Sequence, residues 1–257
     1  MSVLDVERDH GLVTLTFNRP ERKNALNRES WQALDDALHE IAHNPEDRAL
    51  VLTGAGGNFS SGADLSGQDA GMTLPIVAEM RSVGDIILRL HRLPIPTLAK
   101  VDGVAVGVAL GMALGCDLVL ASDRAKLYEI FPKRGLALDG GNSWLLPRRV
   151  GLHKAKELAF FGDVIDAAEA ASIGLVNKVV PAAELEAVAA EWGRRLATGP
   201  TLALGLSKRL LDASSSVTLV QALEDEARCQ HITYASHDIR EGMAAFLERR
   251  EPHFKGC

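Results

Sequence analysis

The spacing of apolar positions changes several times along the chain, and each change marks an element. Leu12–Phe17 (LVTLTF) alternates valine and leucine with threonine, the two-residue period of a half-buried strand, and Asn18, Arg19 and Pro20 end it in a turn. Over residues 29–42 the period lengthens. Trp31, Leu34, Leu38 and Ile41 recur at spacings of three and four, which predicts a helix stopped at Asn44 and Pro45. Residues 49–53 predict a second strand that runs into a glycine-rich loop, GAGGNFSSGADL. A helix is predicted over 76–93, a buried strand over Thr97–Val101, a further strand over 116–121, and short helices over 140–150 and 154–161. Strands that alternate with helices in this way indicate an α/β class.

After Pro200 the pattern is helical only. Residues 201–211 and 217–234 read as helices, and Asp238 with Glu241 three residues on reads as a capping box for a last one. The expected organisation is therefore a core over 1–199 and an all-helical region over 200–257. Between the two central strands lies VDGVAVGVALGMALGCDLVLAS, with Gly107, Gly111 and Gly115 four apart. If this piece is helical, its glycines share one face that lets another backbone approach closely, and close helix packing alone is the alternative.

Composition narrows the classes. With 257 residues, 47% hydrophobic and 24% charged, the chain can bury a sizeable core. A formal net charge of -6 without a basic stripe argues against nucleic acid as a partner. Cys116, Cys229 and Cys257 are odd in number and fit neither a zinc knuckle nor a disulfide framework, so a reducing cytoplasm is expected. The N-terminus lacks a basic and then apolar signal segment. The longest uncharged run, 103–116, falls short of the roughly 20 residues that a membrane span needs, so a soluble protein without a membrane partner is expected.

Two stretches are candidates for chemistry. Residues 39–43 read HEIAH, the zinc-peptidase pattern HExxH. At about 100° per residue, however, His39 and His43 fall toward the solvated side of the helix whose apolar stripe is Trp31, Leu34 and Leu38. The third ligand is missing as well, since Glu46 and Ala49 stand where the extended motif wants glycine and histidine. No metal is expected. The second candidate is the loop Asn58, Phe59, Ser60, Ser61, Gly62, Ala63, Asp64, Leu65 at the end of a strand. Small residues there let a ligand approach the backbone, and free N–H groups in such a turn can hold a developing oxyanion. A second glycine-rich loop, residues 103–107, follows the next strand and can supply a second donor.

RPERKNALN at 19–27, FSSGADL at 59–65, DGVAVG at 102–107, CDLVLAS at 116–122, GLVNKVVP at 174–181 and EGMAAFLERREPHFKG at 241–256 together resemble the crotonase, or enoyl-CoA hydratase/isomerase, superfamily. The resemblance runs in order over nearly the whole chain. It implies a spiral of ββα turns with a C-terminal helical trimerisation region, assembly as trimers or pairs of trimers, and a coenzyme A thioester as substrate, with no metal or redox cofactor. It also implies that Ala63 and Val108 offer backbone N–H groups to the thioester oxygen, with Val108 in place of the usual glycine. Arg22, Lys23, Ala25, Gly62, Asp64 and Leu65 match the part that holds the coenzyme A moiety, and Phe254 and Lys255 match the segment that reaches its nucleotide end. Arg22 and Lys23 also fit the role of solvated loop charges.

The departures from the family decide the expected reaction. A hydratase of this family uses two glutamates to hold and activate one water, because adding hydroxyl and proton across a double bond needs a base and an acid side by side. Gly111 and Phe131 stand at those two positions. Asp139, in GLALDGGN, instead matches the acidic position of members that isomerise. Read from its neighbours alone it is either an N-cap for the following helix or a base made more basic by Leu136, Ala137 and Leu138. Glu129, next to Tyr128, is the rival acid. The expected activity is acyl-CoA isomerisation through a thioester enolate with Asp139 as proton shuttle. The alternatives are an acyl-CoA-binding protein without turnover and a weak hydratase.

Overall fold

The computed structural model describes residues 2–66 and 76–257. A six-stranded sheet takes β1 (Leu4–Asp9), β2 (Leu12–Phe17), β3 (Ala49–Gly54), β4 (Thr97–Val101), β6 (Leu118–Ser122) and β9 (Lys178–Val180), in that spatial order. Within this sheet, among the described residues, the β1–β2 pair is antiparallel and the others are parallel. A three-stranded sheet takes β5 (Val104–Val106), β7 (Lys126–Tyr128) and β8 (Ile165–Asp166). The chain visits the two sheets in turn, β4 then β5 and β6 then β7, with a helix after each visit. This is the expected spiral of ββα turns.

The helices are α1 (Arg28–His43), α2 (Ile76–His91), α3 (Val108–Gly115), α4 (Asn142–Val150), α5 (Leu152–Phe161), α6 (Ala167–Ser172), α7 (Leu185–Ala197), α8 (Thr201–Ala213), α9 (Leu219–Tyr234) and α10 (His237–Glu248). In α1, Leu34, Leu38 and Ile41 are buried as their spacing predicts, and Asn27 caps the first turn by accepting from Ser30 N–H at 2.9 Å. All eight residues of α3 are buried, so this helix is the central pillar between the sheets and α4. Among the described residues no helix is long and apolar enough to cross a membrane.

Two local expectations are corrected, and one strand went unread in the sequence. β1 is a strand although LDVERD carries mostly polar residues, because it pairs only at the sheet edge and buries only Leu4 fully. The cap of α10 is Ser236, not Asp238. Asp238 instead accepts from the N–H groups of Lys255 (2.7 Å) and Gly256 (2.8 Å), and Glu241 from Arg250 (2.6 Å) and His253 N–H (2.7 Å), so both carboxylates tie down the C-terminal segment. The cap of α4 is Gly141, with no side-chain bond, so Asp139 does not serve as that cap.

The region after Pro200 docks on the core at α8. Gly205 lies so close to Pro94 that a Cβ there would stand 2.1 Å from its carbonyl oxygen. Buried Lys208 Nζ sits 3.0 Å from Asp117 Oδ2, at the N-terminal ends of β4 and β6. The loops that follow β3 and β4 therefore emerge at the opposite edge of the sheet from α8.

Candidate active site

Three loops are laced together at the C-terminal edge of β3 and β4. The first, after β2, contains Lys23 and Asn24, both in the left-handed region (φ 49° and 55°), a conformation that asparagine tolerates better than most residues. The Asn24 side chain is buried and donates to the carbonyls of Ala55 (2.9 Å) and Asn58 (2.7 Å), while Ser60 Oγ donates to Asn24 O (2.7 Å). Ser61 N–H bonds Lys23 O at 2.9 Å. This loop is thereby strapped to the glycine-rich loop after β3. That loop in turn bridges the one after β4, with Ser60 N–H on Val104 O (3.0 Å) and Val106 N–H on Ser60 O (3.2 Å).

This lacing leaves the backbone N–H of each predicted donor without a partner among the described residues. Ala63 forms a parallel bridge with Leu26 that uses Gly62 O and Asp64 N–H, so the N–H of Ala63 itself points to the other side. Gly62 (φ 90°) packs so tightly that a Cβ would meet Val106 O at 2.8 Å, which holds Ala63 against the second loop. Val108 is the first residue of α3, where the N–H has no intrahelical acceptor. Two backbone donors from neighbouring loops are the elements of an oxyanion hole.

Asp139 comes to the same place. A Cβ on Gly140 (φ 60°) would lie 2.8 Å from Val108 Cγ2, and buried Asn142 donates from Nδ2 to Gly107 O at 3.0 Å. Asp139 is half-buried, and its Oδ1 is fully buried without a hydrogen-bond partner among the described residues. Burial pushes its carboxyl up to about 6. Of the neighbours the sequence offered as its cause, Leu136 and Ala137 are exposed and Leu138 is half-buried, so the first two do not supply this desolvation.

The two missing glutamates have structural replacements. A Cβ at Gly111 would stand 2.3 Å from Gly140 O and 3.0 Å from Asn142 Nδ2, leaving no room for any side chain. Phe131 is buried and its ring packs toward Gly107.

The remaining candidates divide. Arg22 and Lys23 are exposed, Ala25 is half-buried, and Leu65 is 45% exposed at the mouth of the same loops. The Asp64 carboxylate is held inside the loop by Ser66 N–H (3.1 Å), Ser66 Oγ (2.6 Å) and Arg19 (2.9 Å), which lower it to about 2, the Ser66 bonds contributing most. Asp64 thus organises the loop. Phe254 and Lys255 are not brought to this site within one chain. Gly256 packs on Thr201 and Arg48, at the N-terminal end of β3, the edge opposite the loops. Asn24, Arg19 and Asn142 escaped the sequence reading, since their roles depend on partners far away in the chain. The HEIAH histidines are exposed, His43 Nδ1 bonds His39 O at 2.7 Å, and Glu40 pairs with Arg8 at 2.9 Å.

Two carboxyls in this region titrate upward, Asp139 to about 6 and Glu129 to about 8. A raised acid favours the folded state only while protonated, so its contribution is complete below about pH 4 and is lost as pH rises through the raised value. Asp64 and Glu241, both lowered to about 2, lose theirs only in strong acid and do not act in this window. Between about pH 5 and 8, catalysis that needs ionised Asp139 should therefore rise while the melting temperature falls. A pH profile of kcat/KM beside thermal melts checks both signs.

Ala63, Val108 and Asp139 are thus carried on segments that pack against one another. The chain matches the family model described as enoyl-CoA hydratase/isomerase over residues 7–257 and belongs to that family. It is 38% identical over 252 residues to a 1,2-epoxyphenylacetyl-CoA isomerase of Escherichia coli (strain K12), covering 96% of each chain. It is 33% identical over 251 residues to a crotonyl-CoA hydratase of Syntrophomonas wolfei, covering 97% of this chain and 96% of the relative. A crystal structure of an enoyl-CoA hydratase from Bacillus anthracis superposes with a TM-score of 0.94 at 31% identity, over 99% of this chain and 100% of that one.

Proposed function

We propose that the protein is an acyl-CoA isomerase, in which the N–H groups of Ala63 and Val108 hold the thioester oxygen of an enolate while Asp139 removes a proton and returns it elsewhere. The observation that carries this reading is that Asp139 Oδ1 is buried without a partner among the described residues, next to Gly140, which packs on Val108, at a site where Gly111 has no space for a second acid. The likeness to a relative named as an isomerase supports it, although relatives named as hydratases are similar too. Exposed Arg22 and Lys23 suit the phosphates of coenzyme A, with Ala25, Gly62 and Leu65 at the thioester end. No metal or redox cofactor enters this chemistry. Assembly as a trimer or pair of trimers through 200–257 is part of the proposal. It is supported by exposed Leu211, Leu219, Val220, Phe246 and Leu247, which are apolar surface in the single chain. The cytoplasm is the proposed compartment, in keeping with free Cys116, Cys229 and Cys257.

The test is turnover over a panel of enoyl-CoA chain lengths. Conversion of 3-enoyl to 2-enoyl thioesters should be readily measured and hydration of crotonyl-CoA slow. Hydration faster than isomerisation would move the assignment to a hydratase. Binding without turnover of any member would make the protein a carrier.

A further inference from the structure

Glu129 is a carboxyl near the site that this mechanism leaves idle, and its surroundings are unusual. It is 1% exposed, and both its oxygens are buried without a hydrogen-bond partner among the described residues. An ionised carboxylate in such a place is strongly disfavoured, so the group is held as the neutral acid. Its position is fixed by the fold. Tyr128, the last residue of β7, accepts from Gly107 N–H at 3.0 Å, and Gly162 packs so tightly on Glu129 that a Cβ there would lie 2.6 Å from the Glu129 carbonyl oxygen. Glu129 is thereby pinned beside the loop that presents Val108 N–H. It also lies within electrostatic reach of Asp139, whose charge adds to burial in keeping Glu129 protonated. Asn142 Oδ1, three residues after Asp139, is likewise buried without a partner among the described residues.

We propose that Glu129 is a second proton carrier of this site, supplying a proton to one end of the substrate's unsaturated segment while Asp139 takes one from the other end. This rests on the isomerase reading above and moves the return of the proton from Asp139 to Glu129. With a 3-enoyl thioester, the Asp139 carboxylate takes the proton from C2. The C–H electron pair enters a dienolate whose oxygen charge faces the N–H groups of Ala63 and Val108. The Glu129 O–H then gives its proton to C4, where an electron pair of the dienolate forms the new C–H bond and the double bond settles between C2 and C3. Asp139 is left protonated and Glu129 ionised. The proton passes from Asp139 to Glu129 and restores the starting state, a direction favoured because Glu129 is the more buried acid of the two.

The test is Glu129→Gln, which keeps the shape of the side chain and has no proton to give. Three readouts are needed: isomerisation of a 3-enoyl-CoA, wash-in of solvent deuterium at C2, and melting temperature. The C2 exchange served by Asp139 should stay within about threefold of wild type, whereas isomerisation should fall about 10²- to 10⁴-fold. Asp139→Asn should lose both. Isomerisation by Glu129→Gln within about threefold of wild type overturns the proposal. So does equal loss of exchange and isomerisation, which would make Glu129 only a support for Asp139. If wild type shows neither exchange nor isomerisation on any thioester it binds, the isomerase reading fails and this role with it. Should the variant not fold, wild type decides through one single-turnover measurement with substrate deuterated at C2 in ordinary water. Two carriers leave C4 of the product free of that deuterium, and its appearance at C4 returns the work to one shuttle.

Discussion

Replacing Asp139 by asparagine should lower kcat on a 3-enoyl-CoA by about 10²- to 10⁴-fold, the contribution of one positioned acid-base group, while acyl-CoA affinity stays nearly unchanged. The substitution isolates the proton chemistry because little else depends on the carboxylate. The α4 cap is Gly141, and the one bond that joins Asp139 to the helix start is its backbone oxygen accepting from Asn142 N–H at 3.1 Å, which asparagine retains. The buried Oδ1 has no partner among the described residues to lose. Removing a carboxyl that burial drives up to about 6 should leave the melting temperature at neutral pH level or slightly higher. A drop in kcat with an intact melting curve and intact binding therefore reports a missing base. Full isomerase activity in this variant would mean that Asp139 carries no proton, and the mechanism would have to be rebuilt around Glu129.

The elements whose pattern was plain are those with one face in the core. β2 and α1 bury alternate and periodic positions, so the period is written in their residues, whereas β3 and β4 are buried almost throughout and read as short continuous apolar runs. β1 hides its identity because an edge strand with a solvated face needs few apolar residues. In α3 the opposite holds: VALGMALG is buried all round, and a helix apolar on every side has no stripe to read. The short strands β5, β7 and β8 owe their conformation to pairing with one another more than to their own residues.

The same distinction runs through the site. Ala63, Val108 and Asp139 stood in motifs of adjacent residues, and the structure joins their loops through Gly62, Val106 and Gly140. Glu129 was visible only as an acid between Tyr128 and Ile130. Its weight comes from the burial created by β7 and α3, which no local pattern encodes. Phe254 and Lys255 show the converse. Their motif is legible, yet Asp238 holds the backbone N–H of Lys255 at the other edge of the core.

Gly111→Ala should be among the most damaging single-methyl additions in this chain. The new Cβ would stand 2.3 Å from Gly140 O and 3.1 Å from its carbonyl carbon, so the Asp139–Gly140 turn has to move. That turn has nowhere to go on the α3 side, because the space at Gly140 is itself closed by Val108 Cα at 3.0 Å and Cγ2 at 2.8 Å. The nearest atom that the new Cβ meets is backbone in a packed interior, and overpacking of this kind costs about 1–3 kcal/mol and occasionally more. For a domain of this size each kcal/mol corresponds to a fall of about 2–4 °C in melting temperature. Activity should fall further than stability, since displacing the turn draws Asp139 away from the N–H of Val108, and small misplacements of a reacting group are costly. The argument also forbids the obvious graft. Gly111→Glu combined with Phe131→Glu restores the two acids of a hydratase in name, but the first cannot enter without expelling the turn, so crotonyl-CoA hydration should not appear. Thermal melts and both assays on Gly111→Ala and the double variant check this. A Gly111→Ala protein with wild-type melting temperature and turnover would show that the turn yields freely, and the closed space at Gly111 would no longer explain the absence of a second acid.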